Sequence, residues 1–159
     1  MLVLKIVGAL ILVCSGAFAA HVLNAGEALR LKQTEGFMTL FRTVKTQIDC
    51  FALPIGDILR ALDRDTLDAC GYREEKKPSQ LLELSEKCEV YDAVACSVFE
   101  QFAREFGRSY REEEVRACEY YLSLLEDRRV TLSGELPVKK KRNLTLCLCA
   151  ALALALLLL

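Results

Sequence analysis

Lys139-Lys140-Lys141-Arg142-Asn143, followed by Leu144-Thr145-Leu146-Cys147-Leu148-Cys149 and then only alanine and leucine to Leu159, decides how the rest of the chain is read. Four consecutive cations stop at an asparagine. The sixteen residues after it offer water almost nothing to hydrogen-bond. Cations do not enter hydrocarbon and a run this apolar does not stay in water, so the pair marks a membrane boundary. As a helix, Leu144–Leu159 is about 24 Å long, a little short of a hydrocarbon core of about 30 Å. Val138 extends the run inward, and the Lys139–Arg142 stems can snorkel to the interface.

A second apolar segment lies at the other end. Leu2–Leu23 is interrupted only by Lys5, Ser15 and His21. Ile6–Leu23, at 18 residues, is just long enough to span a bilayer. It also fits a secretory signal peptide, with Lys5 as the charged start and Ala17-Phe18-Ala19 as a small-residue cleavage site. The C-terminus can be made to agree with that alternative. Ser133-Gly134 would be an attachment site, 135–143 a polar spacer and 144–159 the removable tail of a lipid-anchor signal. The product would be a secreted small helical protein held by a lipid.

Charge placement favours two spans with the middle segment in the cytosol. Residues 24–143 hold 20 of the 21 Lys/Arg and all 22 acidic residues. Arg30, Lys32, Arg42 and Lys45 flank the first apolar segment. Arg128, Arg129 and the topology determinants Lys139, Lys140, Lys141 and Arg142 flank the second. Outside the two apolar ends stand only Lys5 and the amino terminus, and positive flanks stay cytosolic. The chain therefore divides into a transmembrane helix over 1–23, a cytosolic helical bundle over 24–143 and a transmembrane helix over 144–159.

The middle segment is helical by its periodicity. Phe37, Leu40, Phe41, Val44, Ile48 and Phe51 recur at three- and four-residue steps along a helix over 25–51. No proline separates it from the first span. Pro54 ends it and suits the first turn of a short helix, Pro54–Leu62. A second short helix, 65–70, is closed by Gly71, and 72–77 is a charged loop. Pro78 opens a helix to Cys88. Val90, Tyr91, Val94, Ala95, Val98, Phe102 and Phe106 make the next, with Gly107 at its end. Ser109 and Glu112 have capping-box spacing for a last helix from Tyr110, which shows Val115, Cys118, Leu122, Leu125 and Leu132 on one side. The expectation is all-α: a bundle of about six helices flanked by the two spans.

Chemistry-bearing constellations are sparse, and the reading is a non-enzyme. The only histidine, His21, lies in an apolar end, which leaves no nucleophile–histidine pair and no glycine-rich phosphate loop. No small-molecule substrate or cofactor is expected, and no nucleic acid either, since the middle segment is nearly neutral and lacks a one-signed basic face. Its five cysteines, Cys50, Cys70, Cys88, Cys96 and Cys118, are odd in number, lack C-x-x-C spacing and read as small core residues in a reducing compartment. Glu112-Glu113-Glu114 suits the dipole of a helix start. Arg104, Arg108, Arg111 and Arg116 cluster around the predicted turn. Surface salt bridges would account for them; they are also a candidate docking edge for an acidic partner.

Five strings carry a resemblance. They are Gln33-Thr34-Glu35-Gly36-Phe37; Gln47-Ile48-Asp49-Cys50-Phe51 before Pro54-Ile55; Cys70-Gly71; Phe106-Gly107-Arg108-Ser109-Tyr110; and Glu135-Leu136-Pro137 running into the lysines. In order and overall length the chain resembles the stage III sporulation protein AB family of endospore-forming Firmicutes. The resemblance implies a scaffold subunit of the sporulation channel complex between mother cell and forespore, needed for late forespore development. It implies a soluble domain similar to the cytosolic domain of the type II secretion platform protein, facing the mother-cell cytoplasm from the membrane around the forespore. The partners it implies are the bilayer, the complex's ATPase (stage III sporulation protein AA) and the other subunits. It carries over no catalytic residues.

Overall fold

The computed structural model describes residues 2–158, with side chains from Val7 to Leu157; the side chain of Lys5 and the last residue of the C-terminal tail lie outside the described residues. Among the described residues six helices follow one another: α1 (Leu2–Phe51), α2 (Ile55–Ala61), α3 (Arg64–Cys70), α4 (Leu81–Lys87), α5 (Ala93–Glu105) and α6 (Arg111–Leu158). The protein is all-α. Among the described residues the only extended pairing is an isolated bridge between Tyr72 and Cys88. The contacts divide into two units, one of residues 29–132 and one made of both chain ends, 1–28 with 133–159.

In the 29–132 unit the predicted stripe of α1 forms the centre of the core. Phe37, Leu40, Phe41, Val44 and Ile48 are buried, together with Ile58 and Leu59 of α2, Leu67 of α3, Leu84 of α4 and Leu125 of α6. Aromatic rings join the layers. Phe37 stacks on Phe99 of α5 with centroids 4.6 Å apart. Phe41 meets Phe102 edge-on at 4.4 Å, and Phe102 meets Tyr121 of α6 at 5.5 Å. Offset and edge-to-face contacts of this kind contribute about 1 kcal/mol beyond the area they bury. Phe51, the last residue of the stripe, is 65% exposed and does not join the core.

Element ends refine the sequence reading. Pro54 is the N-cap of α2, in extended backbone, rather than its first turn. Asp63 caps α3 by accepting from Thr66 N, and Gly71 closes α3 at φ 92°, as its position predicted. Pro78 is buried, but α4 starts only at Leu81; Glu83 reaches back to the N–H and hydroxyl of Ser79. Val90 and Tyr91 precede α5 instead of belonging to it, and Val90 and Val94 are exposed. The predicted stripe was therefore too broad at its start, because Asp92 takes the N-cap and sets the helix phase from there. At the next turn the closing carboxylate is Glu114, not Glu112. It accepts from Gly107 N at 2.9 Å and Ser109 N at 3.0 Å, and α6 begins at Arg111. Gly107 sits at φ 86°, a conformation that favours glycine.

The other unit contains the two terminal helical segments, running antiparallel. A Cβ on Gly16 would lie 2.7 Å from Ala151 Cβ and 2.9 Å from Cys147 O, so glycine permits this approach. Ala20, Ala151 and Ala155 are buried at the same seam. Asn24 and Asn143 are hydrogen-bonded at 3.1 Å, and Lys139 reaches Glu27 at 3.2 Å and Glu135 at 2.8 Å. Small residues that let backbones approach, followed by side-chain hydrogen bonds, are a packing mode suited to lipid. By length and composition, α1 from Val7 onward can cross a membrane. Pro137 lies inside α6, which continues through it.

Candidate docking surface

Two buried polar side chains hold the 29–132 unit in register. Gln33, on α1, uses its whole amide. Its Nε2 donates to Cys70 O at 2.8 Å and Glu89 O at 2.6 Å. Its Oε1 accepts from Tyr91 N at 2.9 Å, Asp92 N at 2.8 Å and the Cys96 thiol at 3.4 Å. One side chain thereby satisfies the end of α3, the strand-like 88–91 segment and the approach to α5. Beside it Gly36 lies under α3: a Cβ there would fall 2.8 Å from Ala69 C and Cys70 N.

Asp92 is the second. Its side chain is 0% exposed. Oδ1 accepts from Ala95 N at 2.8 Å and from Arg128 Nε at 3.1 Å; Oδ2 accepts from Arg128 at 2.6 Å and from Arg30 Nε at 3.2 Å. Burial opposes its ionisation. The Arg128 hydrogen bonds, the Ala95 N–H and the two guanidinium charges outweigh burial and hold the carboxyl below the usual carboxylate range. A fork-to-fork pair with Arg128 ties α5 to α6, and Arg30 adds α1.

These staples fix the surface where the predicted arginine edge lies, and the structure divides that edge in two. Arg104 and Arg108 line a cleft of about 470 Å³ with Ile55, Gln80, Leu81, Leu82, Ala103 and Phe106. Arg111 and Arg116 line a different recess with Tyr110, Glu112 and Glu113. Arg104 is held by Glu100 on its own helix at 2.6 Å. Arg111 bonds Asp49 O at 2.8 Å, which joins the start of α6 to the end of α1. Among the described residues Arg108 and Arg116 have no carboxylate partner. Exposed apolar side chains flank this end of the unit: Phe51, Leu53 and Tyr110, the last 85% exposed. Ala52 adopts φ 51° between the first two, in a turn held by Ala52 N to Ile48 O and Leu53 N to Gln47 O.

The four cations of the 139–142 run also divide. Lys139 is engaged by Glu27 and Glu135, while Lys140, Lys141 and Arg142 are exposed. The cysteines of the 29–132 unit are free thiols. Cys70 and Cys118 are buried, Cys88 and Cys96 half-buried and Cys50 exposed. Burial pushes Cys88 and Cys118 up to about 12 and Cys96 up to about 11, so these thiols are poor nucleophiles. Among the described residues no group of three or more His, Cys, Asp or Glu is arranged to hold a metal ion.

The family model for stage III sporulation protein AB matches residues 5–159, nearly the whole chain. The chain belongs to that family. Comparison with the curated proteins and with the solved structures returned no match. Membership of the stage III sporulation protein AB family makes this a sporulation-related protein. Three of the five strings that carried the resemblance supply residues to the Gln33, Gly36 and Glu114 contacts described above. Gln33 and Gly36 are in the first, Cys70-Gly71 meets Gln33, and Gly107 with Ser109 receives Glu114.

Sequence reasoning gave neither Gln33, quoted only within a resemblance string, nor Asp92 a structural role, yet both left a signal. Gln33 continues the Phe37–Phe41 phase of α1 one turn earlier, so a polar residue stands in an apolar stripe. Asp92 stands three residues before Ala95, the spacing of an N-cap.

Proposed function

We propose that the chain is a two-span membrane subunit of the sporulation assembly between mother cell and forespore. Its 29–132 unit faces the mother-cell cytoplasm and docks the assembly's ATPase, stage III sporulation protein AA. The observation that carries the docking role is the end of the unit formed by Phe51, Leu53, Tyr110 and the cleft beside Arg104 and Arg108. Aromatic residues and arginine in exposed positions are the composition of protein-binding hot spots, and little in the unit itself accounts for their exposure. The two-span reading rests on the flanking cations, on the α1 segment and on the seam that pairs the α6 tail with it. Free thiols support a reducing compartment. On this reading the protein acts as a scaffold that couples a soluble motor to a membrane complex.

Co-purification of the full chain from detergent-solubilised membranes with the tagged ATPase tests the docking role. The ATPase should be retained; failure to retain it at micromolar concentrations of both proteins refutes the role. Intact-mass measurement tests the topology. Recovery of a chain running from Met1 to Leu159 excludes cleavage at either end, and a processed chain refutes two spans.

A further inference from the structure

The cleft bounded by the start of α2, the start of α4 and the end of α5 has a mixed character. Its apolar part is made by Ile55, Leu82, Ala103 and Phe106, each only partly buried, and Gln80 lines it too. Two arginines, Arg104 and Arg108, also belong to its lining. Arg104 is drawn to Glu100. Arg108 follows the left-handed Gly107 and has no carboxylate partner among the described residues. Glu114 rigidifies that turn by accepting from Gly107 N and Ser109 N, on either side of Arg108. A cation without a carboxylate partner among the described residues thus sits on a fixed turn and lines the same cleft as the apolar residues. Fixing the backbone beforehand reduces the ordering cost of binding, which is the condition under which a small site can select a partner.

We propose that this cleft is the seat for a short segment of the docked partner that presents apolar side chains next to a carboxylate. The apolar side chains fill the trough between Leu82 and Phe106, and the carboxylate takes Arg108 in a bidentate pair. This deepens, and rests on, the reading that the unit docks the assembly's ATPase. It narrows the four-arginine edge to one member. Arg111 is committed to Asp49, and Arg116 lines the other recess. Charge complementarity selects an acidic segment over a basic one, and the trough excludes a purely polar one.

The test uses the full chain in detergent with the tagged ATPase as probe. Three variants are compared with the parent: Arg108→Glu, Arg108→Lys and Ala103→Trp, the last placing an indole in the trough. Arg108 is exposed, so its variants should melt with the parent; the melting temperature of the Ala103→Trp chain is checked directly. Arg108→Glu should weaken retention about tenfold or more, and Ala103→Trp should do the same. Arg108→Lys should fall between, since it restores charge without the fork. Raising the salt should weaken the parent and leave the Arg108→Glu chain unchanged. Full retention by all three variants overturns the cleft and leaves docking elsewhere on the unit standing. Absence of retention by the parent overturns both the cleft and the docking role.

Discussion

Replacing Asp92 by alanine should lower the melting temperature of the 29–132 unit by about 12 °C. The carboxylate has two tasks. It caps α5 through Ala95 N, and loss of an aspartate cap costs about 1 kcal/mol. It is also the shared partner of Arg128 and Arg30, whose side chains are 19% and 30% exposed. Removing one member of a fully buried pair costs about 3–5 kcal/mol. Water reaches both guanidinium groups, so about 2 kcal/mol is the appropriate share here. The total of about 3 kcal/mol corresponds to about 12 °C at about 4 °C per kcal/mol for a unit of this size. Asp92→Asn keeps an oxygen for Ala95 N and loses the charge, so it should cost about half as much. The sign of the pH dependence follows from the lowered carboxyl. The stabilisation is present above the unfolded value of about 3.9 and fades as the pH falls through the lower folded value. Asp92→Asn should remove that acid limb. Once the accessible thiols, Cys50 among them, have been blocked with unlabelled maleimide, a fluorogenic maleimide reads the transition in the full detergent-solubilised chain, because Cys70 and Cys118 are both fully buried until the unit opens. An alanine variant melting within about 3 °C of the parent would refute the assignment of Asp92 as the joint between α1, α5 and α6.

Gln33→Leu keeps the shape and strands the groups that the amide now satisfies, at a cost of about 3 kcal/mol by the same melting assay; a neutral outcome would show that the 88–91 segment finds other partners. Gly36→Ala and Gly134→Ala form a matched pair. The first drives a methyl to 2.8 Å from the α3 backbone and should cost about 1–3 kcal/mol, whereas the second meets nothing within 4 Å and should add helix stability of about 0.5–1 kcal/mol. Equal effects of the two would refute the close approach of α1 to α3. At pH 8 a charged maleimide should modify Cys50 in the folded chain and spare Cys70 and Cys118; in intact cells Cys50 should be protected until the cytoplasmic membrane is opened, and immediate labelling would refute a cytosolic unit.

The helices were legible where one physical signal dominated. The α1 stripe and the Gly71 cap were written in spacing alone. Continuity of α1 into the apolar N-terminal segment followed from the absence of a proline. What escaped depended on partners distant in sequence. Nothing near Ser109 announces that Glu114 rather than Glu112 closes the turn, since both stand in the same acidic run and packing against the turn selects between them. Tyr72 was read as part of a charged loop, but it is fully buried with its hydroxyl on Lys76 O, because the Tyr72–Cys88 bridge draws it inward. The arginines appeared as one edge because they are neighbours in sequence. Helix direction changes at Gly107, so Arg104 and Arg108 face one recess and Arg111 and Arg116 another.

The clasp between the chain ends has a consequence for the segment they enclose. Asn24 meets Asn143, and Glu27 meets Lys139, so the two points where the chain enters and leaves the middle unit are pinned side by side. If the membrane keeps that pair together while the middle unit unfolds, the unfolded chain is a closed loop rather than a free coil. A cross-link around a loop of about a hundred residues removes conformational entropy equivalent to about 4–5 kcal/mol in the chain-entropy model. A non-covalent clasp recovers some part of this. The bilayer would then serve as the staple that a small secreted domain obtains from a disulfide, and the same 29–132 residues cut free of their ends should be markedly easier to unfold.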